Sequence, residues 1–413
     1  MEDVVAHVMK HIGISKDEFT VVNPNFYKRL LGGDSLSLIV GESYMDGEWI
    51  SKDLVSFLRK VNVLDNYNEL FFTAIKGVPI KTLLYTILLI IIICFNDIKT
   101  QIMDYLYNGQ SIKLSKRVAE QHYDIPDILY NHMLDTQKQY TCAYWKPGTT
   151  TLEEAQQNKV DLLIGKLQIP DDTEMTILDI GCGWGGLTNA ISKRYPKCNV
   201  VGITISKEQI KYANDTYGSD KLKYIFCDYR ELPKQTTKYD RIISVGMFEH
   251  VGVKNYDDFF RICEKILTYN GIFVLHTITR AELVKYITGY ENTTADKWID
   301  RYIFPGGFIP TTETVLSSAV HGKLMYHHIQ NLSISYAKTL KQWYNNFVEN
   351  WDTIQKSNPS FFTEKFYKMW EFYLLSSMIM FEVKHIQLSQ YVFTKRSYPD
   401  MYIFTEKLQN LIP

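Results

Sequence analysis

The pattern of hydrophobic and polar residues changes near the middle of the chain. From about residue 176, short apolar runs predict strands at Met175–Ile180, Asn199–Thr204, Leu222–Cys227, Arg241–Val245 and Ile272–Thr277. The stretches between them predict helices at Gly185–Arg194, Ser206–Tyr217 and Tyr256–Leu267. Strands that alternate with helices are typical of a doubly wound, mostly parallel sheet. The predicted fold class is therefore α/β.

The rest of the chain predicts a different organisation. Residues 1 to about 95 indicate a mostly helical segment with a turn-rich centre, and the polar residues 97–120 indicate a connector. After Ile278 the pattern predicts a long, mostly helical stretch with one late strand at Tyr391–Lys395. We therefore expect a small domain over residues 1–96, a linker over 97–120 and a larger domain over 121–413.

One segment, Thr82–Asn96 (TLLYTILLIIIICFN), has no charged residue and lies between Lys81 and Asp97. Its 15 residues are fewer than the roughly 17–25 that a membrane-spanning helix needs. Because it is apolar on every face, it must be buried in protein or in lipid. The sequence does not decide between a helix buried in the protein core and a helix that contacts the membrane.

Composition narrows the range of functions. The 413 residues are more than one hydrophobic core usually holds, and 45 basic against 46 acidic residues give no reason to expect nucleic-acid binding. Aromatic residues reach 14%, which suits a cation-stabilising site, although an aromatic core accounts for it equally well. The cysteines form no C-x-x-C pair and no secretory signal opens the chain, so we expect free thiols, a cytoplasmic location and no metal.

The first predicted strand runs into a glycine-rich turn, LDIGCGWGGL. Ligands of open α/β sheets bind beyond the carboxyl ends of the strands, where glycine lets the backbone approach them closely. The dinucleotide-binding fingerprint is G-x-G-x-x-G, whereas the glycines here are Gly181, Gly183 and Gly185. The third glycine is therefore in the wrong position, and NAD is disfavoured as the ligand. With Asp179 the three glycines resemble the nucleoside-binding turn of class I S-adenosylmethionine methyltransferases. A tight structural turn is the alternative.

The next two strand ends carry side chains suited to a nucleoside. Thr204, Ser206 and Gln209 follow the second strand, where ribose hydroxyls would lie, although Ser206 is also a good helix N-cap. Asp228 follows the third strand and would accept from an adenine amino group, with Tyr229 packed on the base. Three strand ends in the right order favour a cofactor site over three unrelated residues.

The chain resembles the bacterial cyclopropane-fatty-acyl-phospholipid synthases from about Val21 to Lys395. The motifs that carry the resemblance are VVNPNFYKRLL, GESYMDGEW, HYDI, YTCAYW, LDIGCGWGGL, VGITISKEQ, CDYREL, YDRIISVGMFEHVGVKNYDDFFR and WIDRYIFPGGFIP. The most specific is VGMFEHVG followed by KNYD. The resemblance implies a Rossmann-like class I methyltransferase fold over residues 121–413 and a lipid-binding domain over residues 1–96, which mycolic-acid enzymes lack.

The resemblance also implies the reaction. The methyl group of S-adenosylmethionine moves to the cis double bond of an unsaturated phospholipid acyl chain, and a bound bicarbonate removes a proton so that a cyclopropane ring closes. Because an alkene is a poor nucleophile, catalysis depends on positioning. Aromatic faces would stabilise the carbocation by roughly 0.5–2 kcal/mol each.

Site residues follow from the same resemblance. Bicarbonate would be held by Cys142, Glu249, His276, Tyr336 and the backbone of Ile278. Glu249 would accept its hydrogen, His276 and Tyr336 would donate to its oxygens, and Cys142 would offer a backbone N–H at a helix start, its thiol neutral. Tyr140 and Thr141 would join the cofactor site. Each of these residues also has a structural alternative. Cys142 could be a buried apolar residue, His276 a core histidine, Tyr336 a packed aromatic residue and Glu249 an acid at a helix start.

Three departures leave the lipid preference open: Pro126-Asp127-Ile128 where the family has Gly-Asn-Asp, the poorly matched stretch between Ile278 and Trp298, and Glu382 where the family prefers arginine. One rival function is a methyltransferase of the same fold that makes methyl-branched lipid or methylates an amine. Another is a non-catalytic lipid-binding protein. The expected location is the inner face of the cell membrane, as a peripheral protein, and a homodimer is left open.

Overall fold

The structure is a computed structural model, and it describes residues 2–32, 34–62, 125–280, 296–396 and 398. The apolar segment Thr82–Asn96 and the predicted linker lie outside the described residues. In the described part of the chain, no helix is long and apolar enough to cross a membrane.

The helices follow one another along the chain as α1 Glu2–His11, α2 Asn25–Gly32, α3 Leu36–Met45, α4 Leu54–Asn62, α5 Asp127–Met133, α6 Leu152–Leu167, α7 Gly186–Arg194, α8 Lys207–Tyr217, α9 Tyr256–Ile266, α10 Lys297–Tyr302, α11 Thr312–His321, α12 Ser333–Glu349, α13 Trp351–Ser357 and α14 Glu364–Glu382. The strands are β1 Thr20–Val21, β2 Trp49–Ile50, β3 Thr176–Ile180, β4 Asn199–Thr204, β5 Leu222–Phe226, β6 Tyr239–Val245, β7 Leu267–Arg280, β8 Leu324–Asn331 and β9 Ile386–Lys395.

The large sheet has the strand order β5-β4-β3-β6-β7-β9-β8. Strands β3 to β7 are parallel, whereas β9 runs antiparallel to both β7 and β8. The predicted α/β class and the predicted strands are confirmed. The described residues after Ile278 are mostly helical, as predicted, but they also include strand β8, which the sequence analysis did not predict. It is an edge strand with many exposed residues, so it lacks the buried alternation that reveals the other strands.

Consecutive residues of the strands alternate between two apolar layers. Leu178 and Phe273 belong to a cluster that includes residues of α9 and α11, whereas their neighbours Ile177 and Ile272 pack with residues of α6 and α7. Side chains of a strand alternate between its two faces, and both faces of this sheet are covered. The ends of the strands are therefore what remains available for a ligand.

The chain divides into two compact units, which differ from the predicted domains. The first unit combines the described residues up to 62 with residues 296–305 and 347–385, and the second contains the large sheet. The N-terminal residues are thus joined by later helices. A Cβ on Gly41 in α3 would lie 2.3 Å from the Trp298 ring, so glycine is required there. Glu382 forms an ion pair with Arg59 at 2.8 Å, which is an exposed pair of small energetic value.

Candidate active site

The glycine turn leaves β3 with three glycines in the left-handed region, at φ +82° for Gly181, +54° for Gly183 and +87° for Gly185. A Cβ on Gly181 would lie 2.6 Å from Met247, and one on Gly185 would lie 2.7 Å from the ring of Tyr224. A Cβ on Gly183 would meet none of the described residues within 4 Å. Gly181 and Gly185 therefore satisfy packing, whereas Gly183 borders open space that a ligand can occupy.

Asp179 ties this turn to the helix that follows it. Its Oδ2 atom accepts a hydrogen bond of 2.7 Å from the hydroxyl of Thr188 in α7, and the side chain is buried. Burial raises the pKa of Asp179 to about 6, although the hydrogen bond from Thr188 and the charge of Lys159 both act to lower it. The structure thus gives Asp179 an orienting contact within the protein, and its contact with a cofactor stays a prediction.

The residues expected after β4 form a local network. The hydroxyl of Thr204 lies 3.0 Å from Oε1 of Gln209. The hydroxyl of Ser206 accepts from the backbone N–H of Gln209 at 3.3 Å and so caps α8. The structure therefore brings all three together, with Ser206 in its helix-capping role.

Asp228 has a charged partner that the sequence reasoning missed. Arg230, two residues later, donates from Nε to Oδ1 at 2.9 Å and from its terminal nitrogen to Oδ2 at 2.6 Å. Tyr229, the residue between Asp228 and Arg230, is buried in the core. Its ring packs edge-on to Phe259, with 5.2 Å between ring centroids. A carboxylate accepts up to about four hydrogen bonds, so Asp228 retains acceptor capacity beside Arg230.

The segment 139–142 passes close to the glycine turn. A Cβ on Gly186 would lie 2.9 Å from the amide nitrogen of Gln139, and one on Gly246 would lie 2.9 Å from the methyl group of Thr141. The ring of Tyr140 packs against Trp343 with centroids 5.2 Å apart. Thr141 thus lies beside the end of β6, and Gln139, the neighbour of Tyr140 in the chain, lies beside the start of α7.

Cys142 is not at a helix start, which corrects the sequence prediction. It lies in an irregular segment, and the next helix, α6, begins at Leu152. The thiol is fully buried and donates to the carbonyl oxygen of Ala143 at 3.1 Å. Burial raises the pKa of Cys142, so the thiol stays neutral, as expected.

Glu249 lies in the short helix Phe248–His250, which follows β6. Its Oε1 atom accepts a hydrogen bond of 2.7 Å from the backbone N–H of Ile278, at the end of β7. Its Oε2 atom is buried and has no hydrogen-bond partner among the described residues. Burial raises the pKa of Glu249 to about 6. The backbone of Ile278 was predicted to help hold the bound anion, and in the structure its N–H donates to Glu249.

His276 lies two residues before Ile278 on the same strand and is buried. Its Nδ1 atom is 3.1 Å from Nε2 of Gln390 on β9, and its own Nε2 atom is buried without a partner in the described part of the chain. Burial and the charges of Lys159 and Lys166 lower the pKa of His276. The imidazole is therefore neutral.

Tyr336 lies on α12, a helix that the structure brings to the segment around Cys142. On this helix, Thr339 accepts from the N–H of Ala143 at 3.1 Å. The half-buried ring of Tyr336 packs edge-on to Trp343, with 6.2 Å between centroids. The four predicted bicarbonate residues thus all belong to the second compact unit. His122, Tyr123 and Asp124, which the HYDI motif contributes, lie outside the described residues.

A buried polar face of α6 was missed by the sequence reasoning. Lys159 and Lys166 are both fully buried, although lysine is rarely found in a core. Lys159 donates to Oε1 of Gln139 at 2.6 Å, and Lys166 donates to Oε1 of Gln390 at 2.6 Å. The available signal was their spacing, since residues seven apart share one face of a helix.

The chain is similar in sequence to known cyclopropane synthases. The family model described as mycolic acid cyclopropane synthetase matches residues 110–391. The cyclopropane-fatty-acyl-phospholipid synthase of Escherichia coli (strain K12) is 37% identical over 384 residues, which are 93% of this chain and 89% of that protein.

Two solved structures are also similar. The cyclopropane synthase MmaA2 from Mycobacterium tuberculosis has a TM-score of 0.60 and 32% identity, and the match covers 68% of this chain and 98% of that one. The mycolic acid cyclopropane synthase CmaA1, solved as a complex with SAH and CTAB, has a TM-score of 0.60 and 30% identity over the same shares.

Proposed function

The chain belongs to the mycolic acid cyclopropane synthetase family, and we propose that it acts as a cyclopropane-fatty-acyl-phospholipid synthase. It transfers the methyl group of S-adenosylmethionine to the cis double bond of an unsaturated phospholipid acyl chain, and the transferred carbon closes a cyclopropane ring. The extent of the similarity supports the phospholipid as substrate. The match to the Escherichia coli phospholipid enzyme covers 93% of the chain, whereas the match to MmaA2 covers 68%.

S-adenosylmethionine is the proposed methyl donor, bound over the glycine turn. The complex of the related CmaA1 with SAH supports this, since SAH is what remains of S-adenosylmethionine after methyl transfer. The absence of any described atom within 4 Å of a Cβ on Gly183 supports binding of the cofactor beside that glycine. Tyr140, Thr141, Thr204, Gln209 and Asp228 are the residues proposed to contact it.

The observation that carries the proposed bicarbonate site is a pair of buried polar atoms that have no hydrogen-bond partner among the described residues. They are Oε2 of Glu249 and Nε2 of His276, and Glu249 is bonded to the strand that carries His276. Such buried atoms are rare and costly in native proteins unless a ligand or water satisfies them. An ionised carboxylate accepts only, whereas an imidazole N–H donates. Bicarbonate has one O–H and two further oxygens, so it fits both atoms.

Bound there, bicarbonate would supply a weak base for the proton that leaves before ring closure. The protein's own groups are unsuited to that step, because a carboxylate or thiolate beside a carbocation would be alkylated. Glu249 is tied to Ile278, and the buried Cys142 keeps its proton. Glu249 instead accepts the O–H hydrogen, and His276 and Tyr336 donate to the other oxygens.

We further propose that the protein works from the membrane surface. The substrate acyl chain lies inside a bilayer, and the apolar segment Thr82–Asn96 is too short to cross one comfortably. The complex of CmaA1 with CTAB, a cationic amphiphile, supports the binding of lipid-like chains in this family. Residues 1–96 are proposed as the part that contacts lipid.

The decisive experiment is to incubate the protein with vesicles of cis-unsaturated phospholipid and methyl-labelled S-adenosylmethionine. We expect each modified acyl chain to gain one CH₂, and vesicles of saturated phospholipid to gain none. A methyl-branched alkene has the same mass, so proton NMR must then show the cyclopropane ring. Label in the head group would indicate an amine methyltransferase. Absence of both product and cofactor binding would indicate a non-catalytic lipid-binding protein.

A further inference from the structure

The imidazole of His276 ends a buried series of hydrogen bonds that begins on helix α6. The Nζ atom of Lys166 lies 2.6 Å from Oε1 of Gln390, and Nε2 of Gln390 lies 3.1 Å from Nδ1 of His276. The side chains of all three residues are at most 1% exposed. Bulk water therefore does not compete for these contacts.

The lysine determines how the glutamine amide is turned. Lys166 also donates to Oε1 of Gln330 at 2.6 Å. A neutral lysine amine has two N–H bonds and an ammonium has three, so two donors are available in either charge state. Burial lowers the pKa of Lys166 to about 7, so below that pH the side chain is an ammonium, which donates hydrogen bonds and cannot accept them. A reversed Gln390 amide would place N–H against an N–H of this ammonium, so the amide oxygen faces Lys166.

The glutamine in turn determines where the histidine proton lies. With its oxygen toward Lys166, Gln390 presents its NH₂ group to His276, and Nδ1 must accept. A neutral imidazole has one N–H and one bare nitrogen, so its hydrogen-bond partners select the tautomer. The proton is therefore on Nε2, which is the buried atom without a partner among the described residues.

We propose that Lys166 and Gln390 are positioning residues that hold His276 as the Nε2–H tautomer and so keep it a fixed hydrogen-bond donor. Preorganised donors cost no rearrangement when charge develops on a bound anion. The catalytic consequence rests on the proposed function, because it assumes an anion at Nε2. The tautomer itself is a property of the protein and does not depend on any activity.

A purely structural role is the alternative to be separated. Lys166 connects α6 to β8 and β9, so its loss would lower stability under either view. Only the positioning role predicts that the ring proton of His276 responds to residue 390. The test must therefore observe that proton directly.

The experiment uses the full chain with ¹⁵N-labelled histidine and NMR spectra that report the protonation of each ring nitrogen, recorded below pH 7, where Lys166 is an ammonium. The signals of His276 are identified by their loss in His276→Asn. We expect a protonated Nε2 and a bare Nδ1 in the wild-type protein. A protonated Nδ1 in the wild-type protein, whether neutral or doubly protonated, overturns the proposal.

Gln390→Glu provides the matched change. A carboxylate toward His276 can only accept, so the proton should move to Nδ1 and turnover should fall about a hundredfold, with S-adenosylmethionine affinity nearly unchanged. Gln330→Glu places the same charge beside Lys166 without touching His276, and we expect the wild-type tautomer and near-wild-type turnover. An unchanged tautomer in Gln390→Glu overturns the proposal.

Two further comparisons keep the test decisive. If Gln390→Glu does not fold, Gln390→Met removes the same contact, and we expect its histidine signals to show a mixture of tautomers. Retention of the pure Nε2–H form in that variant also counts against the proposal. If the wild-type protein modifies no lipid, the proposed function fails, while the wild-type spectrum still decides the tautomer.

Discussion

The Oε1 atom of Glu249 accepts a 2.7 Å hydrogen bond from the backbone N–H of Ile278. This contact anchors the carboxyl group to the end of β7, two residues after His276, and leaves Oε2 buried without a partner in the described part of the chain. Because the donor belongs to the backbone, no substitution at residue 278 other than proline removes it. The bond therefore fixes the direction in which the other oxygen accepts.

Glu249→Gln should lower turnover far more than cofactor affinity. The amide oxygen can keep the bond to Ile278, so the NH₂ group then occupies the position of Oε2 and donates where the carboxylate accepts. We expect a loss of roughly 10²–10⁴-fold in kcat and near-wild-type binding of S-adenosylmethionine by calorimetry. The control is Glu264→Gln, which alters an ion pair with Lys395. A near-wild-type rate at saturating bicarbonate would refute the role of Glu249.

The same carboxyl should make stability and activity respond to pH in opposite directions. Its folded pKa of about 6 lies above the ordinary 4.5, so its stabilising contribution is full below about pH 4.5 and is lost as pH rises through about 6. The rise in the pKa of Glu249 corresponds to about 2 kcal/mol of unfolding free energy. Glu249→Gln should therefore be stabilised relative to wild type by more at pH 7.5 than at pH 4.5.

Urea unfolding of both proteins at the two pH values measures this difference. Wild-type activity, which needs the ionised carboxylate, should fall as pH drops through about 6. A stability difference that is the same at both pH values would show that Glu249 is not held in a destabilised, charged form.

Gly183→Ala and Gly185→Ala should separate ligand binding from packing. At Gly183 the added methyl meets open space and the left-handed backbone costs about 1–2 kcal/mol, so we expect a modest loss of stability and a clear loss of S-adenosylmethionine affinity. At Gly185 the methyl overlaps the Tyr224 ring, and overpacking typically costs a further 1–3 kcal/mol. Calorimetry and thermal unfolding distinguish them. Tight NAD binding by the wild-type protein with no S-adenosylmethionine signal would contradict the site.

Replacing Ile90 and Ile92 by Ser should weaken membrane binding. The segment lies outside the described residues, so the prediction rests on its sequence alone. Contact with lipid predicts reduced vesicle sedimentation and turnover with nearly unchanged thermal stability, which is the expected result. A core helix instead predicts a loss of roughly 2–5 kcal/mol per large side chain. Val320→Ser, at an exposed apolar position, is the control for general loss of apolar surface.

The sequence by itself determined the parts of this protein that depend on local pattern. Strands β3 to β7 are visible because each is a short apolar run bounded by turns, and both faces of the sheet are covered by helices. The glycine turn is visible because three left-handed positions in five residues require glycine at each. The resemblance predicted Glu249 and His276 as site residues, each from a short stretch of sequence.

Only the tertiary structure decided the features that join distant segments. Strand β8 escaped detection because an edge strand is half exposed and shows no buried alternation. Helices from the last third of the chain joined the N-terminal residues through contacts such as that of Trp298 with Gly41. Sequence patterns report burial along one element, and not which element covers it.

The surroundings of His276 show this limit most clearly. A lysine in a helix is usually exposed to solvent, but Lys166 is buried because Gln330 and Gln390, which are distant in the sequence, each supply an oxygen for its ammonium group. Without those partners, burial of the charge would cost too much. The tautomer of the histidine is thus set by a hydrogen bond that no local pattern encodes.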